Sequence, residues 1–327
     1  MLKSKYIAVF HILVLLQSAI YAQVIETSQG KVEFIGLEEW TLEKLQEKLG
    51  YDSPDNFHFC AADLKVKLGF AETSVITGRE NDKKYTVISV IEPKQADVIN
   101  YRPIPTTSVP IPEGWGILVQ LVEQKKVLNG FLDYGSALKD AIKLDETIIS
   151  DEDTSWWAIL QQLNTEKDFN SAIQVLTEDK SFYNRVAAAM VLTNFAGKDS
   201  AWLRLIGGVR DENFFVNMTC TQALVTMTSY VPRAINWSSA TTDIHHILNG
   251  TNLFALPQII NTLVETKVSP ELAKPILNDN GGNMLLKYLK AEHKREKTLA
   301  HALLLQLSGK DYGFDEKLWA NWIENID

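Results

Sequence analysis

The residues best suited to chemistry in this 327-residue chain are few and badly spaced for it. His245 and His246 are adjacent. On a helix, neighbouring side chains diverge by about 100°, so the two imidazoles cannot grip one ion from one face. His293 and His301 stand eight residues apart, about 12 Å along a helix at 1.5 Å per residue, too far to share a metal. Asp311 and Asp315 bracket a glycine-bearing turn but lack the further oxygen ligands of a calcium loop. There is no His-Glu-x-x-His pair, Gly-x-Ser-x-Gly elbow or glycine-rich phosphate loop. The sequence therefore assigns no catalytic, cofactor-binding or metal-ligating residue, and it predicts no cofactor. Cys60 and Cys220 sit in apolar helical patterns and read as two buried thiols acting as small hydrophobes, although an oxidising compartment would permit a disulfide. Trp156 and Trp157 are either packing residues or a binding hot spot. Trp319 and Trp322, three apart, form a stripe suited to closing the end of a helical stack. Asn-x-Ser/Thr sequons begin at Asn217, Asn236 and Asn249; they carry little weight, because they depend on the host and Asn217 falls inside a helical pattern.

What positions these residues begins with a leader. Lys3 and Lys5 precede an apolar stretch from Ile7 to Ile20, interrupted by His11, Gln17 and Ser18, and Ala22 offers a small residue before Gln23. Fourteen residues cannot span about 30 Å of hydrocarbon as a helix. A cleaved signal peptide over residues 1–22 is the expectation, with an uncleaved tether as the alternative. No later segment is apolar for long enough to span a bilayer, so the expected location is periplasmic or secreted, with no integral membrane span after leader removal. Loss of Lys3 and Lys5 with the leader takes the formal charge from −9 to −11. That balance disfavours nucleic acid and anionic membrane surfaces as partners. The 46% apolar and 22% charged residues are ordinary globular values.

Residues 23–92 read as a small α/β module. Val32, Phe34 and Ile35 form a short strand ending at Gly36. Thr41 can cap a helix carrying Leu42, Leu45 and Leu49 and closed by Gly50, and Asn56 opens a second that stops at Gly69. Thr73 to Ile76 and Tyr85 to Ile91 are β-branched runs joined by a polar five-residue turn, Gly78 to Asp82. The order strand, helix, helix, strand, strand, with the start Val-Glu-Phe-Ile-Gly-Leu and the approach Leu64 to Phe70, resembles a polypeptide-transport-associated (POTRA) module. That resemblance implies an extracytoplasmic protein-binding unit able to accept a strand at its sheet edge. An unrelated pair of helices on a three-stranded sheet is the alternative.

Residues 93–114 form a proline-rich linker with Pro93, Pro103, Pro105, Pro110 and Pro112, either a semi-rigid spacer or a strap lying along the helices. From 115 to 327 the pattern is helical. Val186-Ala187-Ala188-Ala189-Met190-Val191-Leu192 is followed 32 residues later by Met218-Thr219-Cys220-Thr221-Gln222-Ala223-Leu224. In that register Arg185 aligns with Asn217, Ala188 with Cys220, Leu192 with Leu224, and Asp179 with Asp211 ahead of each helix. Leu299, Ala302 and Leu303 give a third version. Small residues recur where helices must approach closely, and leucine recurs where volume is needed. These segments resemble HEAT repeats of the short phycobilin-lyase type, although 32 residues is shorter than the common period of about 40 to 47. The run Leu307 to Asp315 with Trp319 and Trp322 resembles the capping end of exported bacterial HEAT-repeat proteins.

The expected fold class is thus an α+β N-terminal module followed by an all-α helical-repeat solenoid, a HEAT/armadillo-like superhelix. The expected function is an exported, non-catalytic protein–protein interaction or scaffolding protein whose partner is another protein of the cell envelope. A lyase or hydrolase on a HEAT-like scaffold, by analogy with chromophore lyases, and a structural subunit of an envelope complex are the alternatives.

Overall fold

A computed structural model describes residues 23–124 and 158–326. The leader, most of the helix expected over Ile117 to Leu144, and Trp156 and Trp157 lie outside the described residues.

The N-terminal module is built on a four-stranded mixed sheet of order β1-β2-β4-β3, with β1 at Gln23–Glu26, β2 at Gly30–Ile35, β3 at Glu72–Glu80 and β4 at Lys83–Ile91. β2 runs parallel to β4, and the other two pairings are antiparallel. β1 corrects the three-strand reading: its four residues, QVIE, are too short to show a period. Gln23 anchors it through its side chain, which donates to Trp40 O at 2.9 Å and accepts from Leu42 N at 3.0 Å. The hairpin turn is also shorter than expected. Glu80 pairs with Lys83, and only Asn81 and Asp82 turn, at φ 50° and 62°. Asn and Asp tolerate that left-handed backbone, which matches the strand twist, so the ladder zips through Gly78, Arg79 and Glu80.

Helix α1, Leu42–Leu49, starts at Thr41, whose side chain accepts from Lys44 N, and ends at Gly50 with φ 68°. The second helix differs from expectation at its start. Ser53 caps a 3-10 turn, Pro54–Phe59, and α2 proper is Ala61–Leu68. Pro54 favours the first turn, because its missing N–H is one the helix start leaves unpaired anyway. β4 is buried almost throughout, because both faces of the sheet are covered. Val32, Phe34, Ile88 and Val90 pack with Leu45 and Leu64 of α1 and α2. Ile35, Tyr85, Val87 and Ile91 belong instead to the core of the helical part. A strand covered on both sides reads as a continuous apolar run, which is what YTVISVI is.

The remainder is mostly helical: α3 Gly116–Glu123, α4 Glu166–Glu178, α5 Phe182–Leu192, α6 Asp199–Gly208, α7 Phe214–Tyr230, α8 Thr241–Leu248, α9 Leu256–Glu265, α10 Ala273–Leu277, α11 Asn283–Leu289, α12 Lys294–Ser308 and α13 Glu316–Glu324. Contacts fall into two series. α3, α5, α7, α9 and α12 each touch the next, and so do α4, α6, α8 and α10; α4 pairs with α5, α6 with α7, and α11 with α12 across the series. One small residue of the 32-residue register, Cys220, sits at a tight crossing. Gly208 in α6 lies against Cys220 in α7, so close that a Cβ there would stand 2.3 Å from Sγ. Gly208→Ala is expected to cost about 1–3 kcal/mol through overpacking; urea unfolding of the two proteins checks this, with the loss seen in the midpoint at unchanged slope.

The proline-rich segment is a strap. After a 3-10 turn, Pro93–Val98, it crosses the loops that precede successive helices, running opposite to the chain order of those helices. Asn100 N donates to Thr251 Oγ1 at 2.9 Å, ahead of α9. Arg102 N donates to Arg210 O at 2.6 Å, and Glu212 N returns a bond to Arg102 O at 3.2 Å, ahead of α7. Lys180 N donates to Thr107 O at 2.6 Å, and Val109 N to Asp179 Oδ2 at 2.7 Å, ahead of α5. Proline suits a strap of this kind, since it holds an extended chain and leaves few donors to satisfy.

Candidate functional site

The strap and the sheet meet the helical part along the loops that precede α5, α7, α9 and α12. At the far end, the sheet meets the α12 loop. Glu33, fully buried in β2, accepts from Glu292 N at 2.6 Å, from His293 N at 3.0 Å and from Tyr85 Oη at 2.8 Å. α12 has no side-chain cap of its own at His293; the N–H groups of Glu292 and His293, immediately before the helix, are held instead by a carboxylate about 260 residues earlier, at a helix start where negative charge is favoured. Ser89 of β4 bonds Tyr288 of α11 at 3.1 Å, and Lys287 pairs with Glu38 at 2.8 Å. Gly250, at φ 121°, lets the α9 loop approach Ile91 so closely that a Cβ would lie 2.6 Å from its Cδ1.

Along the strap, Asp179 and Asp211 hold equivalent loops. Asp179 Oδ1 accepts from Ser181 N at 2.7 Å, and Asp211 Oδ1 from Asn213 N at 2.9 Å. The aligned residues Arg185 and Asn217 both reach back six positions, to Asp179 O at 2.8 Å and Asp211 O at 3.1 Å. Arg185, fully buried, also forks onto both oxygens of Asp211 at 2.9 and 3.0 Å, tying one hairpin to the next. Arg210 continues the series to Asp243 at 2.5 Å and to the strap at Asn100 O, 2.9 Å.

Beside this ladder the first turns of α5 and α7 carry aromatic rings in the same register. Phe182 lies 3.9 Å from Tyr183 and stacks on Phe215 at 6.0 Å and 21°; Phe214 meets Phe215 at 5.8 Å. Phe214 is 55% exposed, and the other three rings are half-buried. On the strap, Ile104 is 47% exposed and Pro103 is also open to solvent. Sequence reasoning missed this group, although Phe182-Tyr183 and Phe214-Phe215 are separated by the 32 residues that align Asp179 with Asp211. Extending that alignment three residues into each helix would have found it.

The residues singled out from sequence are scattered. His245 and His246 have ring centroids 5.3 Å apart at 74°, and His245 Nδ1 faces Ile276 O at 3.1 Å. His293 joins Glu296 and stacks on Tyr85 at 4.5 Å, whereas His301 bonds Asp311 at 2.8 Å and lies 5.0 Å from the ring of Phe314. Asp311 also accepts from Gly313 N, and Asp315 caps α13. Cys60 and Cys220 are buried and free; burial pushes the Cys60 thiol up to about 12 and raises that of Cys220 as well. Trp319 is fully buried, with Trp322 at 5.8 Å and 82°. Asn217 and Asn249 are buried, and Asn236 is exposed. Among the described residues no group of three or more His, Cys, Asp or Glu is placed to hold a metal ion, and no helix is long and apolar enough to cross a membrane.

No family model matches the chain, and no curated protein matches it.

Proposed function

We propose that this chain is an exported, non-catalytic interaction or scaffolding protein that binds another protein of the cell envelope. The observation that carries this reading is the run of four rings, Tyr183-Phe182-Phe215-Phe214, repeated in register on two successive helices and partly open to solvent. Aromatic rings give large contact area at small entropic cost, and they are enriched where binding energy concentrates. Around them the frame is rigid, because buried ion pairs, loop bonds and the strap fix the helix starts that carry the rings.

The two series of helices, each touching the next, support the reading of the helical part as a HEAT-like solenoid, an architecture that leaves long surfaces free for protein recognition. The parallel β2–β4 pairing next to antiparallel β3 supports the likeness of residues 31–92 to a transport-associated module. β3 is the outermost strand on its side and offers an edge for a partner's strand as a second contact. Export rests on the leader, with cleavage expected after Ala22, immediately before β1.

Capture from an envelope fraction tests the reading, with the full chain as bait beside the variant Phe182→Ala, Tyr183→Ala, Phe214→Ala, Phe215→Ala. A hot-spot residue contributes about 2 kcal/mol or more, so affinity for the captured partner should fall at least about 30-fold in the variant. Recovery of the same proteins at the same strength by both baits, or of background alone by the native chain, would remove the basis of the proposal.

A further inference from the structure

The joint between the sheet and the start of α12 contains more acid than a structural contact needs. Glu33 is fully buried against the helix start, and Glu296, also fully buried, bonds His293 through Oε2 while its Oε1 has no hydrogen-bond partner. Glu292 and Glu80 add negative charge from the loop and from β3. Facing them are Lys31 of β2, 3.9 Å from Glu292 and shared with Glu26, Arg295 of α12, and the hydroxyls of Tyr85 and Tyr288. Lys290 is drawn away to Glu316 at 2.9 Å. Glu296 is thus bonded to one titratable ring, His293, which lies between Glu296 and Tyr85.

We infer that this joint is a proton-operated latch: protonated His293 at the start of α12 attracts Glu33 and Glu80 of the sheet, and the joint loosens as His293 loses its proton. Hydrogen bonding to Glu296 comes first among the causes that lift His293 above its ordinary value of 6.5, and the charges of Glu33 and Glu80, which the sheet brings to it, add to the rise. Because Glu296 lies on the same helix as His293, only the part of the rise due to Glu33 and Glu80 depends on docking; that part stabilises the docked state at low pH and is lost as pH rises through the higher, docked value. Burial lifts Glu33 above 4.5 despite the N–H and hydroxyl bonds that oppose the rise. Within the pH range of stable proteins, the histidine sets the window, starting above 6.5. Ser89–Tyr288 and Lys287–Glu38 hold the rest of the contact and do not depend on His293.

Hydrogen exchange on the full chain between pH 6 and 9 tests the latch, with α7 as internal reference for the intrinsic rise of exchange with pH. Protection of the amides of Glu292 and His293, which donate to Glu33, should fall relative to α7 by about tenfold per pH unit while one proton is being released. A ratio that stays flat overturns the inference, and so does one in which α7 falls equally, since that is global unfolding. His293→Gln keeps a donor for Glu296 and the backbone bond to Glu33 but cannot titrate; its profile should lose the slope above pH 6.5. A variant as steep as the native chain would show that His293 is not the latch.

Discussion

Arg185→Ala should lower global stability by about 3–5 kcal/mol, the usual consequence of stranding one member of a buried ion pair. Arg185 is fully buried, and four of its bonds are at stake: two to Asp211, one to Asp179 O and one to Lys180 O. Its loss leaves the Asp211 carboxylate, 6% exposed, with only the Asn213 N–H among these partners. It also leaves two loop carbonyls short of a donor. Against a typical domain stability of about 5–15 kcal/mol, that loss is large. Chemical denaturation of native, Arg185→Met, Asp211→Asn and the double variant completes a cycle. The double variant should recover much of the loss, because no unpaired charge remains buried. A single variant within about 0.5 kcal/mol of native would contradict the account of the ladder.

Asp179→Ala should cost about 2–4 kcal/mol, with the damage concentrated in the strap. One carboxylate holds three donors: Val109 N on the strap, Ser181 N before α5, and Asn184 Nδ2 at 3.3 Å within its first turn. A helix-start acceptor contributes about 1 kcal/mol, and a buried donor left without a partner costs about 1–3 kcal/mol. Hydrogen exchange separates the two effects. Amides of residues 102–109 should lose protection by a larger factor than those of β2 and β4, which the substitution does not touch. Equal loss in both regions would mean that the strap has no stability of its own. Asp179→Asn, which can accept on one side only, should fall between the two.

These outcomes bear on the proposed binding role, because the aromatic run begins immediately after both acids. Phe182 and Phe214 each stand three residues beyond an Asp that fixes the preceding loop. Loosening either loop should weaken binding without touching a ring, whereas replacing the exposed Phe214 should weaken binding and leave the fold intact.

Much of the local structure was legible in the sequence because it rests on local chemistry. Thr41 and Gly50 mark the ends of α1 through an accepting hydroxyl and a residue free to turn left-handed. The β-branched run of β4 marks a strand, and Cys220, the small residue that repeats Ala188, marks where α6 and α7 cross closely. Even the equivalence of Asp179 and Asp211 could be read from spacing alone. β1 could not, because four residues carry no period, and its anchor, Gln23, gains meaning only beside Trp40 and Leu42.

What only the tertiary structure decided is how the sheet and the strap meet the helical part. A buried Glu33 in a strand of alternating polarity reads as a solvent-facing residue until the sheet is placed against α12, where the same carboxylate holds the N–H groups immediately before the helix. Prolines 103 to 112 restrict the chain to an extended shape, but spacer and strap have the same composition; the difference lies in whether Asp179, Arg210 and Thr251 are within reach. Sequence encodes propensities over a few residues and recurrences at fixed distance. Pairings separated by 70, 151 or 260 residues depend on where the whole chain folds, and no local pattern carries that information.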